Sequence, residues 1–273
     1  MITDEVSRTL FTEFGAHRAT ERGDEETGWV LLGVRAADEA LALATLPAGA
    51  ERSASDSHVL FNSTAQAFGS RVVRQGCRQL RMLGVVHTQP GSLRHPTSGD
   101  YRGDIEWVPN LRGGEGVFGI GTADAQAHGP PGVAWQPEPA VQCWGDLCLS
   151  WYSLREGDRN YRRLAVELTM GPDLALPLRP VWTELEAHAE RLDRLAHQLR
   201  HVRFDVVEGR EKPALAVHVP LPEPGRAIRV LMEGKETRYL LLNGGGEPLL
   251  ADVRDVRVDQ GVYLLLAELA GKG

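Results

Sequence analysis

The chain has 273 residues, 42% of them hydrophobic, with 37 acidic against 30 basic side chains and a formal net charge of −7. That is enough apolar content for a sizeable core, and enough length for one large domain or two small ones. The basic residues are interspersed with acidic ones rather than gathered in blocks, so the chain lacks the electrostatic footprint of a nucleic-acid binder, and acidic partners are disfavoured.

Residues 4–16 place Val6, Leu10, Phe11 and Phe14 at helical intervals, with Thr3 or Asp4 as cap, which predicts an opening amphipathic helix. "TGWVLLGVRA" reads as a strand, "EALALATLPA" as a second strand paired with it and "HVLFN" as a third. In "NSTAQAFGSRVVRQGCRQL", Asn62 or Ser63 caps a second helix with Ala65, Phe68 and Val72 on one face. "RMLGVVHT" is a strand ending in His87, and a polar loop follows it. "GVFGIGTAD" and "CLSWYSLREG" predict two further strands, separated by "AHGPPGVAWQPEPA", read as a loop.

The pattern changes after about residue 165. Residues 166–180 read as a proline-punctuated linker, and a helix runs from Val181 to about His201 with Trp182, Leu185, Ala189, Leu192, Ala196 and Leu199 along one stripe. "VRFDVV", "ALAVHV", "AIRVLM", "TRYLLL" and "VYLLLAEL" read as short β-type runs. The expected organisation is α+β: a domain over 1–165, then a C-terminal domain of helix plus antiparallel sheet over 181–273. Cys77, Cys143 and Cys148 show no CxxC spacing and are expected to be buried thiols in a reducing compartment. There is neither a secretory leader pattern nor an apolar run approaching about eighteen residues, so a cytoplasmic protein with no membrane and no nucleic acid among its partners is expected.

The loop "HTQPGSLRHPTSGD" carries the chemistry. His87 and Asp100 are suitable zinc ligands, and in an extended segment residues 87 and 89 project to the same side and could chelate one ion. Position 89 holds glutamine, whose neutral amide oxygen is a weaker zinc donor than imidazole. His95 is a candidate substitute ligand, set against the plainer reading of an exposed loop histidine. Tyr101, Asp104 and Glu106 read as solvated, and the histidines outside the loop as surface or satisfied polar positions.

Together with Glu26 in "ETGWVLLG", these residues resemble the signature of the JAB/MPN metalloproteases, also called JAMM: a glutamate heading a strand, then H-x-H-P, a serine, and an aspartate three residues later. The resemblance spans residues 5–165. It matches Glu26 to the glutamate, His87 to the first histidine, Pro90 to the proline, Thr97 to the serine and Asp100 to the aspartate, with Gln89 replacing the second histidine. It implies a JAB/MPN-like sheet flanked by helices and a Zn2+ held by His87, Asp100 and, in weakened form, Gln89. Glu26 would act as general base and then acid, and Thr97 as donor to the oxyanion.

The implied activity is hydrolysis of an isopeptide or peptide bond after the tail of a ubiquitin-like protein, with that protein or its conjugate, and proteins of the conjugation machinery, as partners. Gln89 supports a second reading, a catalytically impaired MPN-type module that binds a ubiquitin-like protein or an active relative without turnover. In a third, the C-terminal half is the functional part.

Overall fold

A computed structural model describes residues 1–50, 52–55, 59–89, 91, 93–123, 133–244, 246–253 and 256–271. Pro90, His58 and His128 lie outside the described residues. The fold is α+β, as expected, and divides into two compact units. One comprises residues 1–61 with 77–176, the other residues 62–76 with 177–273.

In chain order the first unit contains β1 (Ile2–Thr3), α1 (Asp4–Arg18), β2 (Gly28–Arg35), β3 (Ala40–Pro47) and the short pair β4 (Ser53–Ala54) and β5 (Val59–Leu60). The chain then builds α2 (Ser63–Gly76), which belongs to the second unit. It returns for β6 (Arg81–Thr88), α3 (Ser98–Trp107), β7 (Glu115–Ala123), β8 (Ala134–Glu138), β9 (Val141–Trp144), β10 (Leu147–Arg155), β11 (Arg162–Arg163) and β12 (Leu168–Thr169). Apart from β4 and β5, which pair with each other, these strands make one mixed sheet in the order β12-β1-β3-β2-β6-β7-β10-β9-β8, with β11 on β10.

Helix α1 starts where the sequence placed it, because the Thr3 hydroxyl accepts the Val6 N–H and Asp4 and Glu5 occupy the positive end of the helix. Its apolar face, Val6, Leu10, Phe11 and Phe14, packs on Trp29, Leu31, Leu83, Val86, Leu149 and Trp151 of the sheet. The opposite sheet face carries the candidate site. Between β6 and β7 the backbones approach so closely at Gly84 that a Cβ there would fall 1.8 Å from the Val117 carbonyl oxygen.

Four expectations need correction. Residues 166–176 belong to the first unit rather than to a linker: β12 pairs in parallel with β1, and the Asp173 carboxylate accepts from the Thr45 N–H and hydroxyl at 3.1 and 2.6 Å. The segment "AHGPPGVAWQPEPA", read as a loop, contains β8, and β9 follows directly after it. Helix α2, expected inside the first domain, is capped by Asn62 as predicted but groups with the C-terminal elements. Finally, "VYLLLAEL" is helical.

The second unit adds α4 (Trp182–Gln198), the antiparallel sheet β13 (Arg203–Val207), β14 (Ala214–Pro220), β15 (Arg226–Glu233), β16 (Glu236–Asn243) and β17 (Leu249–Ala251), and α5 (Val258–Gly271). The predicted stripe of α4 is buried at Trp182, Leu185, Ala189 and Leu192. Helix α2 joins this unit through an edge-to-face contact of Phe68 with Phe204 and through Gln75, whose amide exchanges two hydrogen bonds with the Phe204 backbone. In α5 the buried residues Val258, Val262 and Leu265 fall at helical spacing, which outweighs the β propensity of the leucine run. Asp259 in its first turn is 2% exposed and pairs with Arg194 of α4 at 3.0 Å.

Candidate functional site

Strand register assembles the site. Gly28 of β2 lies opposite His87 of β6, and the Thr27 N–H donates to the Thr88 hydroxyl at 2.9 Å, so Glu26 continues the same edge beside His87. His87, Gln89 and Glu26 are 7%, 6% and 4% exposed. Asp100 arrives from the first turn of α3. Its Oδ1 stands 3.3 Å from His87 Nε2, and its Oδ2 accepts from Gln89 Nε2 at 3.1 Å. The approach to Nε2 is close enough for ion pairing but is not aligned as a hydrogen bond, so the imidazole nitrogen has a neighbouring charge without a directed acceptor. The structure thus brings Glu26, His87, Gln89, Thr97 and Asp100 together.

Thr97 is exposed and is the N-cap of α3. Its hydroxyl accepts from the N–H groups of Gly99 and Asp100 and donates to Asp100 Oδ2 at 2.8 Å, while its own N–H donates to the same oxygen. This is a reciprocal capping box, and it spends the hydroxyl's single proton on Asp100 rather than on an oxyanion. Thr97→Ala is expected to lower stability by about 1 kcal/mol, the usual loss for a deleted N-cap, measured by urea unfolding. His95 is held elsewhere: its Nδ1 lies 3.0 Å from the Tyr152 hydroxyl and its ring packs edge-on against that tyrosine.

Asp104 and Tyr161 belong to the site's electrostatics, which the sequence reading missed. Asp104 follows Asp100 by one helical turn, so both carboxylates share a face of α3. The Tyr161 hydroxyl donates to Asp104 Oδ2 at 2.7 Å. Burial pushes the Asp104 carboxyl up to about 6, partly offset by Tyr161 and His87. For Asp100 burial acts in the same sense but is outweighed by His87 and the Thr97 bonds, which hold its pKa below the ordinary value. Burial lowers His87, yet Asp100, then Glu26 and Asp104, outweigh it and raise the imidazole above its usual value. Two sequence signals point to these residues: T-x-x-D marks a helix start, and a carboxylate four residues later then falls on the same face.

The sign of the pH effect follows. A folded-state pKa raised above the unfolded value gives stability that is present at low pH and lost as pH rises through the folded value. For Asp104 that loss runs from the ordinary value of 3.8 through about 6. His87 acts in the same sense, losing its contribution above 6.5. Asp104→Asn, which keeps an acceptor for Tyr161, is therefore expected to raise stability by about 2 kcal/mol near pH 7.5. The gain should vanish near pH 4, where the wild-type acid is also neutral, in denaturant titrations at the two pH values.

Among the described residues, no group of three or more His, Cys, Asp or Glu side chains is arranged to hold a metal ion. The zinc implied by the resemblance can be tested against the donors present. His87 Nε2 and Gln89 Oε1 are buried without hydrogen-bond partners, and Asp100 Oδ1 faces the former. Yet Asp100 Oδ2 is fully engaged by Thr97 and Gln89, and the third donor is a neutral amide. This set is one imidazole short of a catalytic zinc centre and does not fit it.

No family model matches the chain, and no curated protein matches it. Among solved structures it is similar to the solution structure of protein DSY2949 from Desulfitobacterium hafniense, at 14% identity and a TM-score of 0.41, over 63% of this chain and 94% of that one. Among the described residues no helix is long and apolar enough to cross a membrane.

Proposed function

We propose that the first unit is an MPN-type module in which residue 89 has exchanged metal ligation for a hydrogen bond, and that it binds a ubiquitin-like protein or an active relative without turnover. One observation carries this reading: the Gln89 amide donates to the carboxylate that a second imidazole would help to hold on a metal. With Thr97 donating to it and His87 beside it, the Asp100 carboxylate is held by groups of the protein itself. The partner class comes from the resemblance of "HTQPGSLRHPTSGD" and Glu26 to the JAMM signature, and the cytoplasm is its proposed setting.

A second reading, a zinc-dependent isopeptidase, is favoured by the two buried atoms without partners, His87 Nε2 and Gln89 Oε1. Metal analysis of the purified chain, together with binding and cleavage assays on a linear ubiquitin-like fusion, separates the two. The module reading expects binding with neither stoichiometric zinc nor cleavage. Stoichiometric zinc with cleavage abolished by Glu26→Ala would establish the enzyme instead.

A further inference from the structure

We propose that Cys143 and Cys148 form an oxidation-sensitive dithiol that closes to a cross-strand disulfide beneath the segment carrying Arg94 to Thr97. The two residues lie directly opposite each other in the β9–β10 hairpin. Its turn is the two-residue Gly145–Asp146, with Gly145 at φ 60, and Trp144 and Leu147 form the closing pair. In such a hairpin the pair flanking the turn is hydrogen-bonded, so the next pair, Cys143 and Cys148, is the non-hydrogen-bonded kind whose side chains come closest. Cα atoms of such a pair stand about 4.5 Å apart, within the span a disulfide bridges.

The surroundings are those of a reactive sulfur rather than an inert one. Arg94 directs a guanidinium N–H at Cys148 Sγ at 3.6 Å, and a cation so placed stabilises negative charge on sulfur. On the same sheet face, Thr122 lies opposite Cys148 on β7, and Ser150 follows Cys148 by two residues on β10. The hydroxyls of both are buried without hydrogen-bond partners. They offer hydrogen-bonding groups to a molecule little larger than water, the size of hydrogen peroxide. Both cysteines are themselves buried, which excludes bulky oxidants.

The oxidant is accordingly a small hydroperoxide. The Cys148 sulfur attacks one peroxide oxygen, the O–O bond breaks, and the departing oxygen leaves as water after taking up the thiol proton. The Cys143 sulfur then attacks the resulting sulfenic acid, forming the S–S bond as the S–O bond breaks and a second water departs with the Cys143 proton. Two thiols and one hydrogen peroxide give one disulfide and two waters. Closure deprives the sulfur facing Arg94 of its capacity to carry negative charge, and Arg94's own carbonyl accepts from the Tyr152 hydroxyl, so oxidation alters what holds the loop leading to Thr97 and Asp100.

The test exposes the full chain to hydrogen peroxide, alkylates it, cleaves at Asp146 and maps the three cysteines by mass spectrometry. A Cys143–Cys148 cross-linked peptide is expected, with Cys77 still alkylated. Cys143→Ser should instead accumulate a sulfenic acid on Cys148, trapped by dimedone added together with denaturant. Arg94→Ala should slow cross-linking about tenfold, with Arg94→Lys restoring most of the rate. The proposal is overturned if both thiols stay alkylatable, if Cys148 overoxidises without a cross-link, or if Arg94→Ala reacts as fast as the wild type. Should Arg94→Ala fail to fold, the unmodified chain and Cys143→Ser decide.

Discussion

Gln89→His is expected to tighten zinc binding by at least about 100-fold, or about 3 kcal/mol, relative to the wild-type chain. The substitution supplies an imidazole where a neutral amide now stands and frees Asp100 Oδ2 from the bond it accepts at 3.1 Å. The other two donors are already within 3.3 Å of each other. Ligands about 2.0–2.1 Å from a tetrahedral ion are separated by about 3.3 Å, so His87 Nε2 and Asp100 Oδ1 already stand at the spacing of two corners of such a site. Isothermal calorimetry with zinc alone, run beside metal analysis of both proteins, measures the difference. Equal, stoichiometric binding by both chains would contradict the non-catalytic reading.

Gly84→Ala is expected to destabilise the first unit by about 4 kcal/mol or more, among the largest losses from a single methyl group. The added Cβ would fall 1.8 Å from the Val117 carbonyl oxygen and 2.8 Å from its nitrogen, both backbone atoms that no rotamer change can move. Relief requires β6 and β7 to part. The register carrying Val86, His87 and Thr88 alongside Gly119, Ile120 and Gly121 would go with them. Urea unfolding gives the stability loss, and chemical shifts of the His87 ring report whether the surviving fold keeps the site. A loss under about 1 kcal/mol would show that the strands can separate at little cost.

What was legible in the sequence follows from the range of the forces involved. Helix α1 and the β13–β16 run announce themselves through local periodicity, because burial on one face imposes a repeat within a few residues. The spacing from His87 to Asp100, and Glu26 at the head of a strand, sufficed to find residues that the fold brings together. Thr97 is legible as a motif position, but the motif does not show that its hydroxyl accepts from the backbone N–H groups of the turn it begins. Asp104 reads as solvated because α3 buries no residue and so shows no apolar repeat, and without the helix there is no turn to place it above Asp100. The membership of α2 could not be read locally at all, since its partners Asp193 and Phe204 lie 122 and 129 residues further on.

That separation bears on how the molecule is made. The ribosome delivers residues 62–76 long before the strand and helix that shelter Phe68 and Gln75, with Phe204 following Gln75 by 129 residues, so this stretch must wait, amphipathic and unsheltered, until those partners have been made. Closing so long a loop is entropically slow, which makes docking of this helix a late event in maturation. It also defeats the obvious dissection: a fragment starting at residue 177 would carry Phe204 without the ring it packs against, and a soluble excised piece has to have residues 62–76 grafted back onto it.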